Sequence, residues 1–381
     1  MSTLLRGAML FLTADIFYTG FGSAYAYAHR GVQGVLIFLA LSQLMSTFAY
    51  VANVYRMQGH NRTALQGYRA GIAGMFASLL IASFLVRDLA VLGSLALLGG
   101  AARGVAFSSR TWLELSHTRT AMRERYLGIS EALGALLRLA GPLLSGALLF
   151  WLNDNFHVLF GIVGAAGLAL VVPVFCAKLA TAPPGKLQPV KTLLSKKFWR
   201  TSPFYIMDGA GHALRTALFV SGAMAIVGSA AGYSLVEALA SFFAAGLLWW
   251  HSQRPAHQPS LARLRNSVFL LALGWLCLML ALVQPLALPV FVAAYAIGNP
   301  LVTMVKSGLT LKGLTTAGTA PQDNLIARMV LLTLGRFSAL GLAFALTSWT
   351  VSARANIVIV AALALLLLPL EYHYARKLSR L

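Results

Sequence analysis

Apolar residues in this chain come in long unbroken runs, and polar residues cluster in the short gaps between them. Runs of about 20 residues with few charges are each long enough to cross a bilayer as a helix. They predict helices over 4–28, 34–55, 64–86, 89–114, 125–151, 157–179, 203–228, 232–250, 266–286, 288–311, 323–349 and 353–374. The longest gap, 180–202, carries Pro183-Pro184-Gly185 followed by Lys186, Lys191, Lys196, Lys197 and Arg200. It is basic, broken by Pro and Gly, and close to the midpoint, so it reads as a linker. The expected fold class is an all-α polytopic membrane protein with twelve transmembrane helices in two pseudo-symmetric six-helix bundles. The N-terminal bundle takes 1–179, the cytoplasmic basic linker 180–202 and the C-terminal bundle 203–381.

Composition narrows the class. Of 381 residues 59% are hydrophobic and only 10% charged, where a soluble chain carries roughly 25% charged residues. A soluble enzyme or binding module is excluded. The net charge of +20 could mark a nucleic-acid surface, but Lys and Arg sort by loop. Arg6, Arg56, Arg62, Arg119, Arg123, Arg125, the linker lysines, Arg254, Arg263, Arg265, Lys312, Arg376, Lys377 and Arg380 fall on one side. Arg30, Arg87 and Arg354 fall on the other. The asymmetry places both termini and the linker in the cytoplasm; the expected surroundings are a lipid bilayer, with no nucleic-acid partner. Arg6, the first apolar run and Ala24-Tyr-Ala26-Tyr-Ala28 have the outline of a cleavable signal. Asp15 in mid-run is foreign to a signal's apolar core, so this is a first membrane helix. Cys176 and Cys277 lie in apolar runs far apart, which suits packing better than a disulfide or a metal. No nucleotide-binding Gly-Lys-Ser/Thr motif and no nucleophile–base pair is present. An ATP-driven pump or an enzyme is not expected, nor is a cofactor.

The charges inside the runs carry the chemistry. They are Arg69, Arg103, Arg110, Arg138, Arg215, Lys306, Arg328 and Arg336, with Asp15, Glu114, Glu131, Asp208 and Glu237. A charge at the centre of a span costs about 2.5–3.5 kcal/mol on insertion scales, so such residues face a cavity or a partner. The sixth, ninth and twelfth spans carry none in mid-span, and the third only Arg69. Helical spacing puts Arg103, Phe107, Arg110 and Glu114 on one face of the fourth span, and Glu131 with Arg138 on one face of the fifth. Asp208, His212 and Arg215 share a face of the seventh, and Asp15, Tyr18 and Gly22 one of the first. At about 1.5 Å per residue, Arg103, Arg138, His212 and Arg336 lie near mid-membrane. Arg110, Glu131, Asp208, Lys306 and Arg328 lie nearer the cytoplasm, and Glu237 nearer the outside.

Two readings of these charges compete. Some pair off, Arg110 with Glu131 for example, as ties that hold or gate one face. At mid-depth the cations outnumber nearby acids, which suits an anionic solute, since a guanidinium matches carboxylates and phosphates two bonds at a time. Asp208-x3-His212 has ligand spacing and with Asp15 could hold a divalent cation; the surrounding positive charge argues against it, and no resident metal is expected.

The fifth span has a further pattern, Gly128-x8-Leu137-x3-Gly141-Pro142-x2-Ser145-Gly146. A proline in mid-helix costs about 3 kcal/mol or more in a soluble protein, and is tolerated in lipid where a neighbouring helix packs close. The two halves also echo one another: Asp15 with Asp208, Arg138 with Arg336, Arg110 with Lys306. With these features the chain resembles the major facilitator superfamily over its whole length. The fifth-span pattern resembles that family's antiporter signature, G-x8-G-x3-G-P-x2-G-G, with Leu137 and Ser145 in place of two glycines. The loop Asn53-Val-Tyr-Arg56-Met-Gln-Gly59-His-Asn-Arg62 stands where the family usually has G-x-x-x-D-R-x-G-R-R/K, and lacks its aspartate. Arg103 resembles the buried arginine of proton-coupled members, without the Gln-Gly that normally follows.

The resemblance implies a secondary carrier working by alternating access, with the third, sixth, ninth and twelfth spans outermost and the charged spans around a cavity. Its implied job is proton-coupled export of a small anionic or amphipathic metabolite, a carboxylate siderophore or a drug being concrete candidates. An importer of an organic anion, a divalent-metal exporter and a non-transporting assembly factor are the alternatives. The expected substrate-binding residues are Arg103, Arg138, His212, Arg215, Lys306, Arg336 and Tyr18. Asp15, Asp208 and Glu237 are expected to couple protons; Arg110, Glu131 and Arg328 to gate; and Gly128, Gly141, Pro142 and Gly146 to pack the fifth helix. A monomer in a cell inner membrane is expected.

Overall fold

The structure is a computed structural model. It describes residues 2–58, 63–117, 120–175, 189–252, 261–316 and 321–380. Within these, the side chains of 120–132 and of some other residues are not described. Among the described residues every regular element is helical.

Helix α1 (Ser2–Asp15) passes through a π-helical turn, Ile16–Phe21, into α2 (Gly22–Met57). Inside α2, Gly31 has φ 59° and ψ −151°, a conformation open essentially to glycine alone. That single residue breaks the apolar run where two successive spans are expected. Helix α3 (Thr63–Phe84) follows, then α4 (Asp88–Ser94), a second π turn (Leu95–Gly99) and α5 (Gly100–His117). Helix α6 (Thr120–Trp151) contains Pro142, and α7 (Phe156–Phe175) follows a turn in which Asn153 and Asp154 are left-handed. Two short helices come next, α8 (Pro189–Leu193) and α9 (Lys196–Trp199). Helix α10 (Ser202–Val227) ends at left-handed Gly228, the usual stop where a side chain would be strained. It is followed by α11 (Ala230–Ser252), α12 (Leu261–Ala281), α13 (Leu288–Thr316), α14 (Pro321–Thr347) and α15 (Ala353–Ser379).

Among the described residues nine helical stretches are long and apolar enough to cross a membrane; the first of them, Leu4–Met57, is the one divided at Gly31. Two further apolar helices, Leu136–Trp151 and Phe156–Val172, are shorter. Large apolar side chains point outward along these helices, among them Phe84, Phe150, Trp151 and Leu144, each more than two-thirds exposed. In water such surface would drive aggregation; against lipid it needs no cover. The chain is a multi-pass membrane protein.

It divides into two compact units. Unit 1 is Met1–His29, Phe38–Leu187 and Ser229–Ala238; unit 2 is Arg30–Ile37, Gln188–Gly228 and Leu239–Leu381. In unit 1, α3 is the hub, packed on α5 and α7, while α1 packs on α6. Its two π turns meet, because the Tyr18 ring, fully buried, lies where a side chain at Gly99 would stand. In unit 2, α10 packs on α14 and α15, and α12 on α13 and α15. The α10–α14 crossing is closest at two glycines. A Cβ at Gly209 would fall on the Leu332 backbone, and one at Gly335 on the Ile206 backbone.

Candidate functional site

The unit 2 site begins with helical spacing. Asp208, His212 and Arg215 recur at i, i+4 and i+7 on α10, and Arg328, Leu332 and Arg336 at i, i+4 and i+8 on α14. The glycine crossing draws the two helices together so that these rows face a common space. With Thr303 and Lys306 of α13 they line a cavity of about 160 Å³.

Beneath this lining lies Glu371 of α15, whose side chain is 1% exposed. Arg215 donates from Nη1 to both of its carboxylate oxygens, at 2.9 and 3.0 Å. Lys306 Nζ donates to Glu371 Oε2 at 2.6 Å and also reaches Asp208 Oδ1 at 3.0 Å. The result is one continuous network, Arg215–Glu371–Lys306–Asp208, in which Lys306 joins a buried acid to one that lines the cavity. Arg328 lies with its guanidinium carbon 6.0 Å from the centre of the Tyr205 ring, and its Nε is buried without a hydrogen-bond partner among the described residues. Arg215, Lys306, Arg328 and Arg336 are set against Asp208 and Glu371. Leaving His212 out of the count, the described cluster holds four cationic and two acidic side chains.

Unit 1 holds a second polar group. Arg103 Nε donates to Asp15 Oδ1 at 2.5 Å, and the Thr19 hydroxyl donates to the same oxygen at 3.2 Å. The Tyr18 hydroxyl donates to Ser42 Oγ at 2.5 Å. Arg110 bonds Glu114 one turn along α5 at 2.7 Å, with its guanidinium 5.4 Å from the Phe11 ring centre. Asn53 donates to Ser108 and Ser109 at 2.9 and 2.8 Å. Near Gly20 of the first π turn stand both carboxylate oxygens of Glu237 and the Tyr233 hydroxyl. Glu237 Oε2 is buried and has no hydrogen-bond partner among the described residues.

Comparison with known proteins bears on the fold. No protein-family model matches the sequence, and no curated protein matches it. Solved structures do match in shape. A POT family transporter in complex with a thioalcohol-conjugated peptide is similar with a TM-score of 0.73 at 12% identity, over 99% of this chain and 96% of that one. A POT family transporter in complex with 5-aminolevulinic acid is similar with a TM-score of 0.72 at 13% identity, over 99% and 96%. A structure bearing on substrate recognition in proton-dependent oligopeptide transporters gives 0.71 at 11% identity, over the full length of both chains. The fold is the major facilitator fold.

Within that fold the expected residues distribute unevenly. Asp208, His212, Arg215, Lys306, Arg328 and Arg336 come together around the unit 2 cavity. Asp15, Tyr18 and Arg103 come together in unit 1, with Asp15 and Arg103 as ion-pair partners. Arg138 is exposed on α6, and Glu237 lies at Gly20. The Glu131 and Gly128 side-chain positions fall outside the described residues, so the described carboxylate on Arg110 is Glu114. Pro142 is buried within α6. Gly146 is tight, since a Cβ there would stand 2.7 Å from Ser234 Cβ. Gly141 is open by comparison, its nearest neighbour being Ile16 at 3.7 Å. Among the described residues no three His, Cys, Asp or Glu side chains converge as a metal site.

Glu371 of the last span, absent from the interior charges named from the sequence, is the more deeply buried acid of the unit 2 network. The helix runs past the expected end at 374 to Ser379. A signal was available: Ala364, Leu368, Glu371, Ala375 and Leu378 follow the three-and-four spacing of one face, and all five are buried.

Proposed function

We propose that this protein is a proton-coupled secondary transporter that moves a small anionic solute by alternating access. The twelve spans form two six-helix halves, and both termini and the basic linker lie in the cytoplasm, in keeping with the sorting of Lys and Arg. The observation that carries the proposal is the unit 2 cavity, where the described cluster, His212 left out of the count, holds four cationic and two acidic side chains. Guanidinium and ammonium groups gathered on one cavity suit an entering carboxylate or oxyanion, which they bind through charge-assisted hydrogen bonds. Drug-sized pockets run to about 300–1,000 Å³, whereas this cavity measures about 160 Å³. A small acid suits it better than a siderophore or a drug.

Proton coupling is supported by the geometry of Glu237. A carboxylate oxygen buried without a hydrogen-bond partner among the described residues is costly as a charge, and a bound proton removes the charge. Asp15 and Asp208 face Arg103 and Lys306 instead, as counter-ions. Outward transport is supported by the Gly141-Pro142-x2-Ser145-Gly146 pattern of α6.

The test is uptake into proteoliposomes of the purified protein. Labelled succinate or inorganic phosphate should accumulate under an imposed pH gradient and be competed by small anions. Equal competition by neutral and cationic compounds of the same size rules out the anion assignment; flux indifferent to the gradient rules out the coupling.

A further inference from the structure

We infer that Glu371 is the positioning residue of the anion site, holding Arg215 and Lys306 in the arrangement that meets the ligand. The inference rests on the anion reading of the cavity and adds a residue to it.

Three features separate Glu371 from an ordinary counter-ion. It does not line the cavity, yet both cations that do line it from α10 and α13 are bound to it: Arg215 through both carboxylate oxygens and Lys306 at 2.6 Å. A lysine and an arginine carry several freely rotating bonds each, and ordering them at the moment of binding costs affinity. A buried acid gripping both has already ordered them. The second feature is Gly211. Glu371 Oε1 occupies the place where a Cβ at 211 would be, with Arg215 Nη1 2.9 Å from the same point. The carboxylate is thus seated in a notch on α10 that any larger residue would fill, one helical turn before the arginine it holds. The third is division of labour between two acids. Lys306 also reaches Asp208, which lines the cavity and is more exposed, 16% against 1%. Glu371 anchors the ammonium from below while Asp208 touches it at the ligand's level.

Net charge and geometry make opposite predictions, which permits a decisive test. Removing the negative charge should tighten anion binding if Glu371 merely neutralises. Moving the carboxylate while keeping its charge should weaken binding if it positions. Succinate and inorganic phosphate would each be titrated calorimetrically into the purified full-length protein and into Glu371→Asp, Glu371→Gln and Gly211→Ala. Succinate counterflow in proteoliposomes would supply KM and maximal rate. The expected result is affinity lowered about tenfold or more in all three variants, the scale on which outer partners of fixed binding groups act. KM should rise with maximal rate held within about twofold. Combining Gly211→Ala with Glu371→Asp should be no worse than either alone, since the shorter acid leaves the notch the new methyl needs.

Glu371→Asp and Gly211→Ala binding like the parent protein, with Glu371→Gln binding tighter, would overturn the inference in favour of simple neutralisation. Parent-like binding by all three would overturn it as well. So would losses of affinity matched in every variant by equal losses of thermal stability without ligand, the mark of a purely structural pair. If the parent protein binds neither probe, the anion reading itself falls, and this inference with it; binding by the parent keeps the two failures distinct.

Discussion

The α10–α14 crossing offers a perturbation whose size follows from the coordinates. A Cβ at position 209 would fall on the Leu332 carbonyl oxygen and stand 2.8 and 2.9 Å from the Leu332 carbonyl carbon and Cα. A Cβ at 335 would meet the Ile206 carbonyl oxygen, with that carbonyl carbon and Cα at 2.8 and 3.0 Å. These are backbone atoms in helices, so no side chain can swing away. Carbon pairs sit best at about 3.5–4.0 Å, so the helices must part by roughly 1 Å to admit one methyl. Overpacking of this kind costs about 1–3 kcal/mol. Alanine's better helix propensity returns up to about 1 kcal/mol in an aqueous reference. Gly209→Ala and Gly335→Ala should each destabilise by about 1–2 kcal/mol. Once the helices have parted for one methyl, the second is admitted at little further cost. The double variant should therefore be about as stable as either single variant, with a coupling of about 1–2 kcal/mol. Reversible unfolding in mixed micelles measures all four corners of the cycle. Succinate affinity should fall along with stability, because the parted helices move Arg328 and Arg336 away from Asp208 and Arg215. Costs that add, or single variants within about 0.5 kcal/mol of the parent protein, would show that the crossing does not govern the site.

Other expected outcomes follow from single positions. Gly141→Ala should be neutral or mildly stabilising, since its Cβ would find Ile16 at ordinary contact distance, whereas Gly146→Ala should destabilise against Ser234; thermal midpoints in detergent compare the two, and the reverse order would discredit the close-packing account of α6. Tyr18→Phe removes a buried hydroxyl that donates to Ser42 and should cost about 0.5–1.5 kcal/mol, read by the same midpoints. Glu237→Gln should leave anion counterflow intact and abolish its stimulation by a pH gradient; stimulation that survives assigns the proton elsewhere. Asp15→Asn should lose stability that Arg103→Gln in the same chain largely restores, because the partly exposed pair is left with one unmatched charge in either single variant. Additive losses would show that Asp15 does more than balance Arg103.

Much of the fold was legible because lipid imposes one rule on every segment. Some apolar runs end within two residues of the helix, as at 203–228 against Ser202–Val227, while others stop short, as at 353–374 against Ala353–Ser379. The π turns at Ile16–Phe21 and Leu95–Gly99 left no trace in hydropathy, since widening a helical turn changes its geometry and not its composition. In the site, the face shared by Asp208, His212 and Arg215 was readable from spacing alone, because spacing within one helix is local. The partners were not. Glu371 joins Arg215 and Lys306 from α15, a meeting that no spacing within one helix announces.

What the sequence determined by itself is therefore one-dimensional: how many apolar stretches there are, how far each runs, which side the basic loops favour, and which charges share a helix face. Each of these depends on neighbours within a few turns and on the bilayer. Only the tertiary structure decided which charges meet. Arg215, Lys306 and Glu371 lie 65 or more residues apart along the chain, and their meeting depends on how closely helices approach at Gly209, Gly335 and Gly211. Whether a buried arginine is matched or in surplus is a property of that meeting, because Coulomb energy depends on distance in space and not on separation in sequence.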